Sequence, residues 1–309
     1  MALLFISNDD SPVEWQDALT SFDPDLDFRT WPDLGTASDI EIALVWKQPP
    51  GSLADLPRLK LIQSLGAGAD HILTDPQLPG GVPIARLVDS NLTQQMVEFA
   101  VLAVLSRHRR MKQLQLAQTQ SLWNVIQPIP THHSRVGMLG FGEIGREIGN
   151  ALTRLGFPVT AWTRTAREDS NIVCQSGENG LVAVLHSSDI LICLLPFTEE
   201  TKNILNADTF ATLPKGAYVI NMARGGHLAE SDLLSAIDSG HLSGAWLDVF
   251  NEEPLPSDHL FWKHPKVIVT PHLAGLTVAS SAAEQVIKNL RLVRSGKAPN
   301  NAVNLKHGY

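Results

Sequence analysis

The sequence predicts an α/β protein built as two doubly wound parallel-sheet domains with a cleft between them. Three observations predict it. Short apolar stretches alternate with helix-period patterns along most of the chain. A glycine-rich turn, Gly140-Phe141-Gly142-Glu143-Ile144-Gly145, sits between an apolar strand and a helix pattern. The 309 residues exceed what one hydrophobic core usually organises.

The N-terminal part offers strands at Leu3–Ser7, Ile42–Trp46, Leu61–Leu65 and Ile84–Leu87. Proline and glycine punctuate the loops, as at Pro49-Pro50-Gly51 and Pro79-Gly80-Gly81. A long helix is expected from about Asn91 into the 110s, because Met96, Phe99, Ala100, Ala103 and Val104 form an apolar stripe at helical spacing. Gln127-Pro128-Ile129-Pro130 then breaks the chain.

A second series begins at Arg135. Its strands are expected at Val136–Leu139, Val159–Thr163, Asp189–Leu195, Tyr218–Asn221, Gly244–Val249 and Val267–Thr270. A last helix, about Ser280 to Arg294, should return to complete the first domain. The boundaries expected are 1–99 plus 278–309 for the smaller domain and 100–277 for the larger.

Composition excludes several classes. Apolar residues make up 44% and charged residues 18% of the chain, as in ordinary globular proteins, and the formal net charge is −8. A nucleic-acid binder would carry a basic face, and the densest basic stretch, Arg107 to Lys112, reads as a solvated helix end. No run reaches the ~18 apolar residues that span a bilayer. Ala2-Leu3-Leu4-Phe5-Ile6 reads as a first strand and not as a signal peptide. The two cysteines, Cys174 and Cys193, offer no disulfide framework, which fits a reducing cytoplasm. No metal site is expected.

The glycine turn carries the first chemistry. Gly140 allows the sharp turn, Gly142 lets backbone approach a pyrophosphate, and Gly145 lets helix and strand pack closely. Glu143 and Ile144 open the helix, whose N-terminal N–H groups favour an anion. At the end of the next strand an NAD site usually places a carboxylate for the ribose. Here Thr163, Arg164 and Thr165 stand instead. A carboxylate would repel a 2′-phosphate, whereas threonine plus arginine would bind one. NADP(H) is therefore the expected cofactor, with NAD(H) possible.

Downstream lie Arg224 in Asn-Met-Ala-Arg-Gly, Glu253 in Asp-Val-Phe-Asn-Glu-Glu-Pro and His272 in Thr-Pro-His. A cation, a carboxylate and a histidine on strand ends suit hydride transfer. The cation holds an anionic substrate, and the histidine, oriented by the carboxylate, moves the proton.

With these blocks in order, the chain resembles the D-2-hydroxyacid dehydrogenases, and within them the glyoxylate/hydroxypyruvate reductase A branch. Leu65-Gly66-Ala67-Gly68-Ala69-Asp70, Trp162-Thr163-Arg164-Thr165 and Leu195-Pro196-Phe197-Thr198-Glu199-Glu200-Thr201 extend the likeness over nearly the whole chain. The resemblance implies reduction of small 2-oxo acids, with His272 as proton donor, Glu253 as its partner and Arg224 as the carboxylate clamp. It implies that Ala67 and Gly68 bind the substrate carboxylate through backbone N–H groups and that Trp46 lines the pocket. Leu195, Pro196, Thr201, Met222, Ala223 and Asp248 become cofactor contacts, residues 100–277 a Rossmann-type NAD(P)-binding domain, and 1–99 plus 278–309 a smaller, flavodoxin-like substrate domain. A cytoplasmic homodimer with the helix near 91–112 at its interface is expected, although the apolar stripe of that helix could equally be an intramolecular core. Formate dehydrogenases fit less well, since they carry glutamine where Glu253 stands. Phosphoglycerate dehydrogenases usually keep the acidic ribose-binding residue that Thr163 replaces. A nucleotide-sensing, corepressor-like binding protein of the same fold stays open as the alternative, as does a dehydrogenase of another 2-hydroxy acid.

Overall fold

A computed structural model describes residues 2–308. The chain divides into two units, Met1–Thr93 with Leu276–Tyr309, and Gln94–Gly275. The described residues form twelve strands: β1 Ala2–Ile6, β2 Asp27–Thr30, β3 Ile40–Val45, β4 Leu61–Ser64, β5 Ile84–Ala85, β6 Val136–Leu139, β7 Val159–Thr163, β8 Val173–Ser176, β9 Ile190–Cys193, β10 Ala217–Asn221, β11 Leu242–Leu247 and β12 Val267–Val269. The helices are α1 Pro12–Thr20, α2 Asp70–Leu73, α3 Ser90–His108, α4 Met111–Thr119, α5 Glu143–Arg154, α6 Gly177–His186, α7 Ala207–Thr212, α8 Glu230–Asp238, α9 Leu260–Lys263 and α10 Ala279–Arg294.

The first unit holds a five-stranded sheet in the order β2-β1-β3-β4-β5, with all described pairs parallel. That is the flavodoxin-like order. Strands β1, β3 and β4 are buried along their full length, because helices or loops cover both faces. Alternate residues face opposite layers. Leu3 and Phe5 pack with Trp15 and Leu19 of α1 and with Ala283, Val286 and Leu290 of α10, while Leu4 and Ile6 pack with Ile40, Leu53 and Ile72. Ser11 caps α1 by accepting from the Glu14 N–H, and Pro12 follows at the first helical position. The last helix thus belongs to the first unit's core.

The second unit holds a seven-stranded parallel sheet, ordered β12-β11-β10-β9-β6-β7-β8. Chain order reverses between β6 and β9, and at such a switch point ligands bind outside the carboxyl ends of the strands. Val136 and Met138 face one layer, with Ile148 and Leu152 of α5 and with Phe99, Ala100, Ala103 and Val104 of α3. Leu191, Cys193 and Val219 face the other, with Phe210, Leu233 and Ile237.

Several expectations are corrected. Two strands, β2 and β8, went unforeseen; both are sheet edges with mostly half-exposed or exposed side chains, so neither shows an apolar run. The long helix is two helices. Arg110 turns left-handed, with φ of 55°, between α3 and α4, although neither glycine nor proline marks the place. The apolar stripe of α3 lies inside the second unit, where Phe99 meets Trp246 edge-on at 5.6 Å. Among the described residues, no helix is long and apolar enough to cross a membrane.

Candidate active site

The candidate residues of the second unit follow the C-terminal ends of β10, β11 and β12. After β10 the chain turns through Met222, Ala223 and Arg224. Asn221 is fully buried and braces that turn from inside: its side-chain amide donates to the Arg224 carbonyl at 3.0 Å, and its Oδ1 accepts from the Ala223 N–H at 3.2 Å. The Arg224 guanidinium donates to the Ala223 carbonyl at 2.7 Å. Met222 and Ala223 are buried beneath the turn.

Gly225 explains how close the next segment can come. A Cβ built there would lie 1.9 Å from the Phe250 carbonyl carbon, so only glycine permits this backbone approach. The loop after β11 therefore seats directly on the Arg224 turn. That loop presents Glu253. One carboxylate oxygen accepts from the Phe250 N–H at 3.1 Å, and the other lies 2.8 Å from His272 Nδ1. Glu252 is exposed beside it.

His272 has φ of 51°, a left-handed conformation that costs a non-glycine residue about 1–2 kcal/mol. Its backbone is held there, for its N–H donates to the Asp248 carbonyl at 2.8 Å. Asp248 is fully buried at the end of β11. Its side chain accepts from the N–H groups of Leu273 at 3.1 Å and Ala274 at 2.8 Å. Burial pushes the Asp248 carboxyl above its ordinary range, against hydrogen bonds from Thr270, Ala274 and Leu273 and the nearby His272. This aspartate fixes the segment that carries His272; it is placed as a brace under the histidine.

The chemistry follows from donor and acceptor counts. An ionised carboxylate only accepts, so Glu253 assigns the hydrogen of Nδ1 to the bond between them. Nε2 is then the ring nitrogen that this bond does not engage. A carboxylate–imidazole pair next to an arginine turn is an arrangement for adding or removing a proton at the oxygen of an anionic substrate.

The glycine turn sits at the neighbouring strand ends. Gly140 has φ of 101°, and a Cβ there would lie 2.9 Å from the Leu194 carbonyl oxygen, so a side chain is excluded. Gly142 is the N-cap of α5 and carries no capping side chain, so the first-turn N–H groups at Glu143 and Ile144 keep the dipole end of the helix available to an anion. Gly145 is buried in the first turn. Nothing lies within 4 Å of a Cβ at Gly142, which leaves room for a pyrophosphate.

At the end of β7, Arg164 and Thr165 are exposed. The Thr163 hydroxyl lies 2.8 Å from the Thr165 carbonyl and donates within its own loop, so toward a ligand it is an acceptor. Arg167, unremarked in the sequence, donates to the Phe141 carbonyl and ties this loop to the glycine turn. Leu195 is buried after β9. Thr201 lies in a turn, not at a helix start. Its hydroxyl donates to the Pro196 carbonyl at 2.8 Å and accepts from the Thr198 N–H at 2.9 Å.

Trp46, Ala67 and Gly68 belong to the first unit. The Trp46 ring meets His71 at 4.6 Å and covers Gly66, where a Cβ would lie 2.7 Å from the ring. The Gly68 carbonyl accepts from the Ser64 hydroxyl at 2.7 Å, which fixes the loop after β4. Two residues of the second unit were missed by sequence reasoning, Asn221 and His227. Both are buried polar side chains beside Arg224; Asn221 ends an apolar strand, and His227, in the turn that follows, has no such signal.

The fold and this strand-end constellation define a dinucleotide-dependent oxidoreductase class. A profile of the family "D-isomer specific 2-hydroxyacid dehydrogenase, NAD binding domain" matches residues 101–274. The chain belongs to the D-isomer specific 2-hydroxyacid dehydrogenases. It is 40% identical over 301 residues to a protein of Yersinia enterocolitica named glyoxylate/hydroxypyruvate reductase A, covering 96% of each chain. A protein of that name from Photorhabdus laumondii is 40% identical over the full length of both. Among solved structures, a D-isomer specific 2-hydroxyacid dehydrogenase of Xanthobacter autotrophicus in complex with NADPH and MES superposes with a TM-score of 0.96 at 38% identity, covering 100% of this chain and 99% of that one. The NADPH-dependent glyoxylate/hydroxypyruvate reductase of Sinorhizobium meliloti, in complex with NADP and sulfate, gives 0.94 at 32% identity and 100% of both chains.

Proposed function

We propose that the protein reduces small 2-oxo acids, glyoxylate and hydroxypyruvate among them, to 2-hydroxy acids with NADPH. The observation that carries this reading is the 2.8 Å contact of Glu253 with His272 at the strand ends beside Arg224. The names of the full-length relatives support the substrate class, and the NADPH and NADP complexes of the similar structures support the cofactor.

The residues present fit a dinucleotide. The turn from Gly140 to Gly145 and the open start of α5 would hold the pyrophosphate, Arg164 with Thr163 and Thr165 the adenosine end, and Leu195, Pro196, Met222 and Ala223 the nicotinamide end. When bound, the reduced nicotinamide supplies a hydride to the carbonyl carbon. Arg224 clamps the substrate carboxylate and polarises the carbonyl, a task suited to its planar fork. His272 delivers a proton from Nε2 to the carbonyl oxygen. Glu253 accepts from Nδ1–H and keeps the ring in register.

Arg164 is expected to set the nucleotide preference. Its loss removes a charge-assisted contact of about 1.5–3 kcal/mol, so Arg164→Ala should lower the NADPH-to-NADH ratio of kcat/KM roughly ten- to a hundredfold. Initial rates with both nucleotides check it. Equal use of both by the unmodified protein would remove the NADP assignment. Oxidation of NADPH by glyoxylate or hydroxypyruvate tests the whole reading and separates it from a nucleotide-sensing binding protein.

We also infer a homodimer, on a surface other than the buried stripe of α3. Leu102, Met111, Leu116, Leu122 and Val125 are exposed in one stretch of chain, and Trp123 is 97% exposed. Such apolar groupings mark association surfaces. Trp123→Glu should shift sedimentation toward the monomer; a monomeric unmodified protein would refute the inference. The two free thiols, Cys174 and Cys193, support a reducing cytoplasm, which cell fractionation checks.

A further inference from the structure

His227 is a fully buried histidine at the end of the short turn Gly225–His227, and the proton chemistry above does not use it. Its ring stands between two segments that the proposed reaction needs in fixed relation. The Arg224 backbone N–H donates to Nδ1 at 3.2 Å. Nε2 lies 3.2 Å from the Pro196 carbonyl. The ring edge meets Phe197 at 5.4 Å, with planes at 88°.

Hydrogen-bond counting selects the protonation state. With the hydrogen on Nε2, the ring accepts from the Arg224 N–H and donates to the Pro196 carbonyl, so both bonds form. With the hydrogen on Nδ1, the ring donates only to the Arg224 carbonyl, 3.1 Å away, and leaves Nε2 facing another acceptor. The imidazolium likewise sets Nδ1–H against the Arg224 N–H. The Arg224 carbonyl already has a donor in Asn221, and the Pro196 carbonyl takes a second in the Thr201 hydroxyl. The neutral Nε2–H form is therefore the one that makes both of these bonds at once.

We propose that His227 is a positioning residue that locks the backbone of Arg224 to the Leu195–Pro196 turn, so that the substrate clamp and the cofactor-side turn are held as one body. This deepens the proposed function and rests on its reading of Arg224 and of residues 195–196. One nitrogen serves the substrate side and the other serves the cofactor side, so the two effects are separable by substitution. Asparagine places an amide near Nδ1 and keeps the Arg224 bond while losing that to Pro196. Glutamine reaches the position of Nε2 and keeps the Pro196 bond while losing that to Arg224.

The experiment measures NADPH binding by fluorescence, steady-state KM and kcat for glyoxylate, and thermal unfolding, for the unmodified protein, His227→Asn and His227→Gln. His227→Asn should weaken NADPH binding about two- to tenfold with KM for glyoxylate little changed. His227→Gln should raise that KM by a similar factor with NADPH binding little changed. A ring that merely fills space predicts equal shifts in both quantities for both variants, and that result overturns the proposal. Nitrogen-15 NMR of the unmodified protein supplies a readout that no variant has to fold for. An Nε2–H tautomer through neutral pH supports the proposal, and a proton on Nδ1 overturns it. An unmodified protein that neither binds NADPH nor turns over glyoxylate would instead remove the proposed function, and the tautomer would still decide the junction.

Discussion

Replacing His272 by alanine is expected to lower kcat for glyoxylate reduction by about a hundredfold to ten-thousandfold, the usual worth of a positioned general acid. The alkoxide that forms on hydride arrival needs a proton at once, and His272 Nε2 is the nitrogen that its bond to Glu253 leaves for that task. NADPH binding should change little, because the glycine turn and the loop after β7 are left intact. Stability should hardly fall, and alanine relieves none of the left-handed backbone cost, since its Cβ meets the same carbonyl. The check is a single-turnover rate at neutral pH beside a fluorescence titration with NADPH. Near-native turnover in the variant would contradict the donor role.

Arg224→Ala should have the second-largest effect. A guanidinium paired with a carboxylate makes two charge-assisted bonds at about 1.5–3 kcal/mol each, and part of that is regained through water. The expected loss in kcat/KM for glyoxylate is roughly a hundredfold or more. Arg224→Lys should recover only a fraction, because a point charge does not reproduce the fork. The decisive comparison is a carbonyl substrate without a carboxylate. It should lose far less than glyoxylate does, and equal losses for both would mean that Arg224 acts on something other than the carboxylate. The backbone turn under Arg224 is held by Asn221, so the alanine variant should keep its fold, which thermal unfolding checks.

Much of the fold is legible because buried parallel strands must be apolar on both faces. The runs at Leu3–Ile6, Ile42–Val45 and Ile190–Cys193 can be read for that reason. Edge strands escape the same logic. Asp27–Thr30 and Val173–Ser176 bury little, so packing places no apolar demand on them. The break at Arg110 escapes too, since a left-handed arginine carries no compositional mark. The stripe on α3 is visible as a stripe, yet its burial against Trp246 could be read only from the packed unit.

The candidate site divides along a similar line. Arg224, Glu253 and His272 stand out because their chemistry is rare at apolar strand ends. Asn221 and His227 bond to backbone neighbours, and such contacts leave no pattern of spacing; Asp248 is visible in its motif, but its bonds to Leu273 and Ala274 are not. Thr163 and Thr201 stand out in the sequence as candidate cofactor contacts, but that their hydroxyls donate within their own loops shows only in the fold.

The α/β architecture, the glycine turn and the candidate proton-handling residues can be read from the chain alone, because periodicity, glycine placement and side-chain chemistry are properties of one dimension. Which atoms meet is a matter of the packed unit. It brought the carboxylate of Glu253 to Nδ1 of His272, seated Gly225 against Phe250, and placed His227 between Arg224 and Pro196. Apart from the local bond of His227 to Arg224, those contacts join residues well separated in sequence across the ends of parallel strands, and such short-range contacts exist only once the sheet has formed.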